Sequence, residues 1–120
     1  MSTFEKKFVI KEVFRDVSSM KEDEDKDGDE MKHYNINWIP CISKEEEYVH
    51  FSLYCDPTDT ENDYSVKVDL ELRVSSGDKL ILVVQREHTF DDKDDEWNEN
   101  QSLLCFNIIT IVFVVKFCVD

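Results

Sequence analysis

The side chains best suited to nucleophilic, acid–base or metal chemistry are His33, His50 and His88 with Cys41, Cys55, Cys105 and Cys118. Their spacing supports little of that chemistry. Structural zinc sites draw on close pairs such as Cys-x-x-Cys, and His33, Cys41, His50 and Cys55 contain none. No local signature of a nucleophile and its base surrounds any histidine. Asp23, Asp25 and Asp27 alternate ahead of Gly28, like the front of a calcium loop. The twelfth position, however, is Tyr34 rather than a bidentate glutamate, and Glu30 stands where an apolar residue belongs. The stretch therefore predicts a solvated acidic loop. Gly28 and Gly77 are the only glycines. Phosphate loops, dinucleotide fingerprints and nucleophile elbows each need glycine where backbone meets phosphate or turns sharply, so all three are excluded. The residues predict no enzyme, no cofactor and no metal site.

Composition sets the wider limits. A chain of 120 residues suits one domain that buries about two-thirds of its unfolded surface. The formal net charge is -14, spread evenly: residues 1–60 hold 8 basic and 15 acidic side chains, residues 61–120 hold 6 and 13. Phosphate contacts need clustered Lys and Arg, so no nucleic-acid partner is expected. An anionic membrane surface is disfavoured on the same ground. The charge serves solubility or, more specifically, attracts a basic peptide. Behind Met1-Ser2-Thr3-Phe4-Glu5-Lys6-Lys7 there is no long apolar stretch, which predicts no secretory signal and a cytoplasmic, or nuclear, setting. In that setting the cysteines read as reduced, buried thiols, and the sequon Asn100-Gln101-Ser102 as unused.

The elements that would position these residues read as strands. From Tyr64 to Val74 every even position is apolar and every odd one polar, the pattern of a half-buried strand. Phe8–Phe14 is a first strand. Tyr34, Ile36 and Trp38 alternate with asparagines in a second, and Pro40 suggests an edge or a bulge there. Val49, Phe51 and Leu53 mark a third, with His50 on its wet face, and Leu80–Phe90 a fifth after Tyr64–Val74. Asp56-Pro57-Thr58-Asp59 reads as a turn, Ser75-Ser76-Gly77-Asp78 as a four-residue hairpin loop, and 21–32 and Asp91–Glu96 as acidic loops. The fold class is an all-β antiparallel sandwich.

Leu103–Val115 is different, an apolar run that hardly alternates before Lys116. A central strand buried on both faces fits its β-branched content. A tail anchor, with residues 103–119 in the bilayer, fits its length, so a membrane is disfavoured but not excluded. The third reading is that 98–120 is not the native ending of the fold, as in a truncated, non-functional product or a misread exon boundary. An unpaired edge carrying this run would invite aggregation.

The order of these segments resembles the MATH domain (meprin and TRAF homology) over residues 7–97, and the domain is expected to span 7–119. Lys7–Ser18 resembles the opening strand, Tyr34-Asn35-Ile36-Asn37-Trp38 the second with its tryptophan, and Leu53-Tyr54-Cys55-Asp56 the close of the third. Tyr64–Val74 resembles the long alternating strand; Gln85–Phe90 with Trp97 resembles the approach to a Trp-Gly-aromatic motif, from which Asn98 and Glu99 depart. The resemblance implies an eight-stranded sandwich, here with one strand missing or altered at the C-terminus. It also implies a non-catalytic role, holding a short extended peptide of another protein in a shallow groove. His88 and Trp97 match groove positions, and Val68 would add an apolar wall. Alternatively Trp97 is core, His88 a solvated strand residue, and Val68 faces inward with Tyr64, Val66 and Leu70. Related proteins join this domain to a BTB domain that docks a ubiquitin ligase. No BTB or other ligase-recruiting region is read in these 120 residues.

Overall fold

The computed structural model describes residues 6–34, 36–45, 48–57, 65–91, 93–101 and 107–118. The strands are β1 (Lys7–Phe14), β2 (Asp25–Asp27), β3 (Met31–His33), β4 (Ile36–Glu45), β5 (Tyr48–Pro57), β6 (Ser65–Ser76), β7 (Lys79–Asp91), β8 (Glu96–Gln101) and β9 (Ile109–Phe117). All pair antiparallel, in two sheets. One has the order β1-β9-β6-β7; in the other, β2 and β3 share one flank of β4, followed by β5 and β8.

The even-numbered residues of β6 point inward as their alternation predicts: Val68, Leu70, Leu72 and Val74 are buried. They meet Trp38, Ile42, Val49, Phe51 and Leu53 of the facing sheet in a single core. Aromatic rings tie the two sheets together. Trp38 lies 5.0 Å from Phe8 and 5.6 Å edge-on from Phe90, and Trp97 is edge-on to Phe113 at 6.0 Å.

The C-terminal run forms β9, the inner strand between β1 and β6. Ile109, Ile111, Phe113 and Val115 are fully buried, while Thr110, Val112, Val114 and Lys116 are half-buried. The expectation of burial on both faces thus holds for one face only. Lys11 and Arg73 stand on either side of Val112 in the register, and Lys7 beside Lys116, so long side chains flank this outer face. The closing strand is altered in sequence but not missing. A strand hydrogen-bonded on both sides replaces the anchor reading for 109–117, and no helix among the described residues is long and apolar enough to cross a membrane. Residues 103–106 and 119 lie outside the described residues.

Five local expectations change. The acidic stretch 21–32 carries β2 and the start of β3: β2 pairs to β4 through backbone that needs no apolar side chains, and β3 also sets Met31 against the core. Pro40 lies within β4, facing Leu53 on one side. On its other side it falls in the gap between Asp27↔Cys41 and Met31↔Trp38, where no ladder donor is required. Its carbonyl accepts from the Gly28 amide at 2.7 Å. A Cβ on Gly28 would meet the Glu12 side chain at 2.8 Å, and that carboxylate accepts from the Asp29 amide. Tyr34 is not yet strand: it turns the chain ahead of β4 with a φ of 55°. The β6–β7 hairpin is tighter than expected. Ser75 and Ser76 still pair, a bulge follows Val74, and Gly77 takes the positive φ of 60°. Of the turn read at 56–59, Asp56 and Pro57 belong to β5, and the rest lies outside the described residues.

Candidate functional site

Val68 and His88 face each other across β6 and β7, and Trp97 belongs to the opposite sheet. Val68 is 0% exposed and Trp97 7% exposed, so both pack the core and offer no surface to a partner. Trp97 faces Leu53 across β5 and β8, which sets its ring inward, while Glu96 and Asn98 on either side point out. His88 is half-buried at the lateral opening between β7 and β8. Its ring stands edge-on to Phe90 at 4.5 Å. Its Nε2 is buried and lies 3.5 Å from an Asp94 oxygen, a charge contact without the alignment of a hydrogen bond. Nearby, Arg86 reaches Glu99 across the same opening at 3.4 Å.

The outer face of the β4–β5–β8 sheet offers more surface. The register sets Ile39, Tyr54 and Glu96 in one row, Cys41, Ser52 and Asn98 in the next, and Ser43, His50 and Asn100 in a third. Cys41 and Ser52 are each only 6% exposed although they face outward, because they are short residues between taller rows. They form the floor of a shallow trough with Tyr54 on one bank and His50 on the other. His50 is half-buried and holds Glu45 at 3.1 Å, rather than being freely solvated. The trough runs toward β8, which among the described residues pairs with β5 alone, so no described strand covers its other backbone edge. Asp25, Asp27, Asp56 and Glu96 rim it. Burial pushes the Cys41 thiol up to about 12, helped by a hydrogen bond to Asp27. A hydrogen bond to Glu96, then burial, pushes the Tyr54 phenol well above its ordinary range. Both groups are therefore neutral donors at physiological pH, aimed at acidic neighbours. Residue spacing did not single out this trough; its two floor residues become neighbours only through the β4–β5 register.

The outer face of the other sheet is built differently. Its end row reads Lys7, Lys116, Asp69, Glu87. The following rows are Val9, Val114, Glu71, Gln85, then Lys11, Val112, Arg73, Val83, then Val13, Thr110, Ser75, Leu80. Glu71 accepts from Arg73 at 2.8 Å and from Gln85 at 2.9 Å, which holds its carboxyl below the usual range. The long side chains stand around Val114 and enclose a hollow of ≈ 630 Å³.

The possible calcium loop is absent in form: Asp25 and Asp27 sit on β2. Among the described residues, the group whose ligand atoms come together is Asp69, Glu87 and Cys118, within 4.8 Å. Asp69 and Glu87 are exposed, and nothing holds the three to a metal geometry. Cys41 and Cys55 are buried free thiols, as expected, and Cys118 is partly exposed.

Comparison with known proteins adds a family match to the antiparallel sandwich. A family model described as the MATH domain matches residues 14–115. The chain is 24% identical over 119 residues to "BTB and MATH domain-containing protein 15" of Caenorhabditis elegans, covering 92% of this chain and 44% of that protein. It therefore spans less than half the length of that curated relative. With the family match over most of its length and the sandwich to accompany it, the chain belongs to the MATH domain family.

Proposed function

We propose that this domain is a non-catalytic interaction module that holds a short, extended segment of a partner protein against the outer face of the β4–β5–β8 sheet. The observation that carries this reading is the trough floored by Cys41 and Ser52, opening onto the edge of β8 that no other described strand pairs. An extended segment along that edge would gain main-chain hydrogen bonds, and its alternate side chains would drop toward the trough. Tyr54 supplies flat apolar area with a polar tip, and Glu96 and Asp27 supply charge. The acidic rim favours segments with basic flanks and makes the association rate fall as salt rises. His88, at the lateral opening beside Asp94, would touch the end of such a segment. Trp97 and Val68 would serve the same site from beneath, by fixing β8 and β6. The finer reading is a substrate-recognition element of the kind used by ubiquitin-ligase adaptors, with a BTB region supplying recruitment. It draws its support from the family and from the relative whose name carries both domains.

The test is fluorescence anisotropy with a library of short peptides carrying lysine or arginine around alternating apolar residues. Peptides of this class are expected to bind, and Tyr54→Ala is expected to weaken binding by about tenfold or more, as a central aromatic contact does. A folded Tyr54→Ala variant that binds as well as the parent would remove the trough from the site.

A further inference from the structure

The outer face of the β1-β9-β6-β7 sheet lies outside the proposed peptide trough and has features of its own. Among the described residues, five of the seven large apolar side chains that are exposed sit on it or at its end: Val9, Val13, Leu80, Val83 and Ile108. Four of them form two groups, Val9 and Val13 on β1 and Leu80 and Val83 on β7, with the half-buried Val112 and Val114 of β9 inside the face; exposed apolar surface of this kind marks interaction sites. Charge on this face is not spread as on the rest of the chain. Its end row places two lysines, Lys7 and Lys116, on β1 and β9, and two carboxylates, Asp69 and Glu87, on β6 and β7.

This order has a symmetry consequence. A two-fold axis lying in the plane of the face, parallel to the strands and between β9 and β6, places β1 of one copy over β7 of the other, and β9 over β6. Lys7 then faces Glu87 of the second copy, and Lys116 faces its Asp69, twice over by symmetry. The same operation sets Val13 against Leu80. Glu71 is covered with its partners Arg73 and Gln85 already attached, and Glu87 keeps its exposed Lys67 partner at 3.2 Å while meeting Lys7. Lys11 falls opposite Val83, but both lie on edge strands, where the lysine stem can cover the valine and its ammonium reach water. The hollow around Val114 gives the long side chains of the facing copy room to enter. Two such sheets pack at about 30°, an offset that flexible lysines can absorb.

We propose that this face is an isologous docking surface for a second copy of the chain, joined strand-over-strand through the Lys7/Lys116 and Asp69/Glu87 pairs. The size is adequate but small. Four strands about 4.8 Å apart and roughly 30 Å long give on the order of 600 Å² per copy. A pair would then cover about 1,200 Å², the lower end of specific interfaces, which fits a weak, concentration-dependent dimer. The dimer leaves the trough and the β8 edge of both copies open, so two peptide segments could be held at once.

The experiment is sedimentation velocity on the whole chain and two charge-swapped variants, Lys7→Glu with Lys116→Glu, and Asp69→Lys with Glu87→Lys. The parent is expected to show a monomer–dimer equilibrium at concentrations up to about 1 mM. Each variant alone places like charges opposite one another and is expected to dimerise about a hundredfold more weakly. Mixed one to one, the two variants are complementary and recover a dimer. Circular dichroism confirms that each is folded. If a swap impairs folding, Val13→Lys, which lies on the same face away from the charged row, is read instead and is expected to be monomeric. A parent that stays monomeric, a dimer indifferent to the substitutions, or folded variants that remain monomeric when mixed would each overturn the proposal. Peptide binding measured alongside is expected to be unchanged in the variants, which separates this surface from the trough.

Discussion

Phe113→Ala is expected to cost on the order of 4 kcal/mol of folding stability, a large share of what holds a domain of this size. Phe113 is 0% exposed at the centre of β9 and meets Trp97 edge-on at 6.0 Å. Its truncation removes a fully buried ring and leaves a cavity that the flanking strands cannot close, because β9 is hydrogen-bonded on both sides. Domains of this size are held by about 5–15 kcal/mol in total. Val112→Ala, one residue away on the half-buried outer face, is the control and is expected to cost under about 1 kcal/mol. Urea unfolding of the three proteins measures the difference. Equal effects at 112 and 113 would mean that β9 does not present one face to the core.

The second large effect is alkaline. Burial pushes the thiols of Cys41 and Cys55 up to about 12 from 9.0, and Tyr54 is raised as well. In the unfolded chain each thiol loses its proton near pH 9, whereas in the folded chain it keeps it until about 12. Between those values the folded state binds more protons, so stability falls as pH rises. It is complete below pH 9 and is lost progressively toward pH 12. Allowing for partial hydration, the loss is on the order of 2 kcal/mol per thiol. Urea midpoints taken from pH 8 to 11 should therefore decline, and Cys55→Ala should flatten that decline while lowering stability at pH 8 by loss of a buried contact. Alkylation gives a parallel check, since neutral buried thiols react slowly until the fold opens. A midpoint that does not move between pH 8 and 11 would contradict the burial of these groups.

Much of the sandwich was legible because β5 and β6 each bury one face, so their side chains alternate; β1 was legible from its short, β-branched, apolar content, although Val9 and Val13 lie on its exposed face. Where that rule lapses, so does legibility. β9 has valines on its outer face too, flanked by neighbouring lysines and an arginine, and its period is hidden. β2 has charged side chains and exists through backbone pairing to β4, which composition does not record, and β3 adds to its pairing only Met31 against the core and His33 stacked on Phe8. Trp97 is the buried apolar residue between two outward polar ones, too little to reveal which face of β8 is inner. The trough was beyond sequence reasoning for a related cause. Cys41 and Ser52 are eleven positions apart and unremarkable alone; only the hairpin register makes them one floor.

The account rests on residues 109–117 being the inner strand of one sheet, paired to β1 and β6. Native-state amide hydrogen exchange tests this directly. The backbone amides of Ile111, Phe113 and Val115 are expected to exchange only through global unfolding, alongside those of Leu70 and Leu72, since strands paired on both sides open last. Exchange in this segment as fast as in the exposed loop Lys93–Asp95 would contradict the strand, and with it the sandwich on which both proposed surfaces depend.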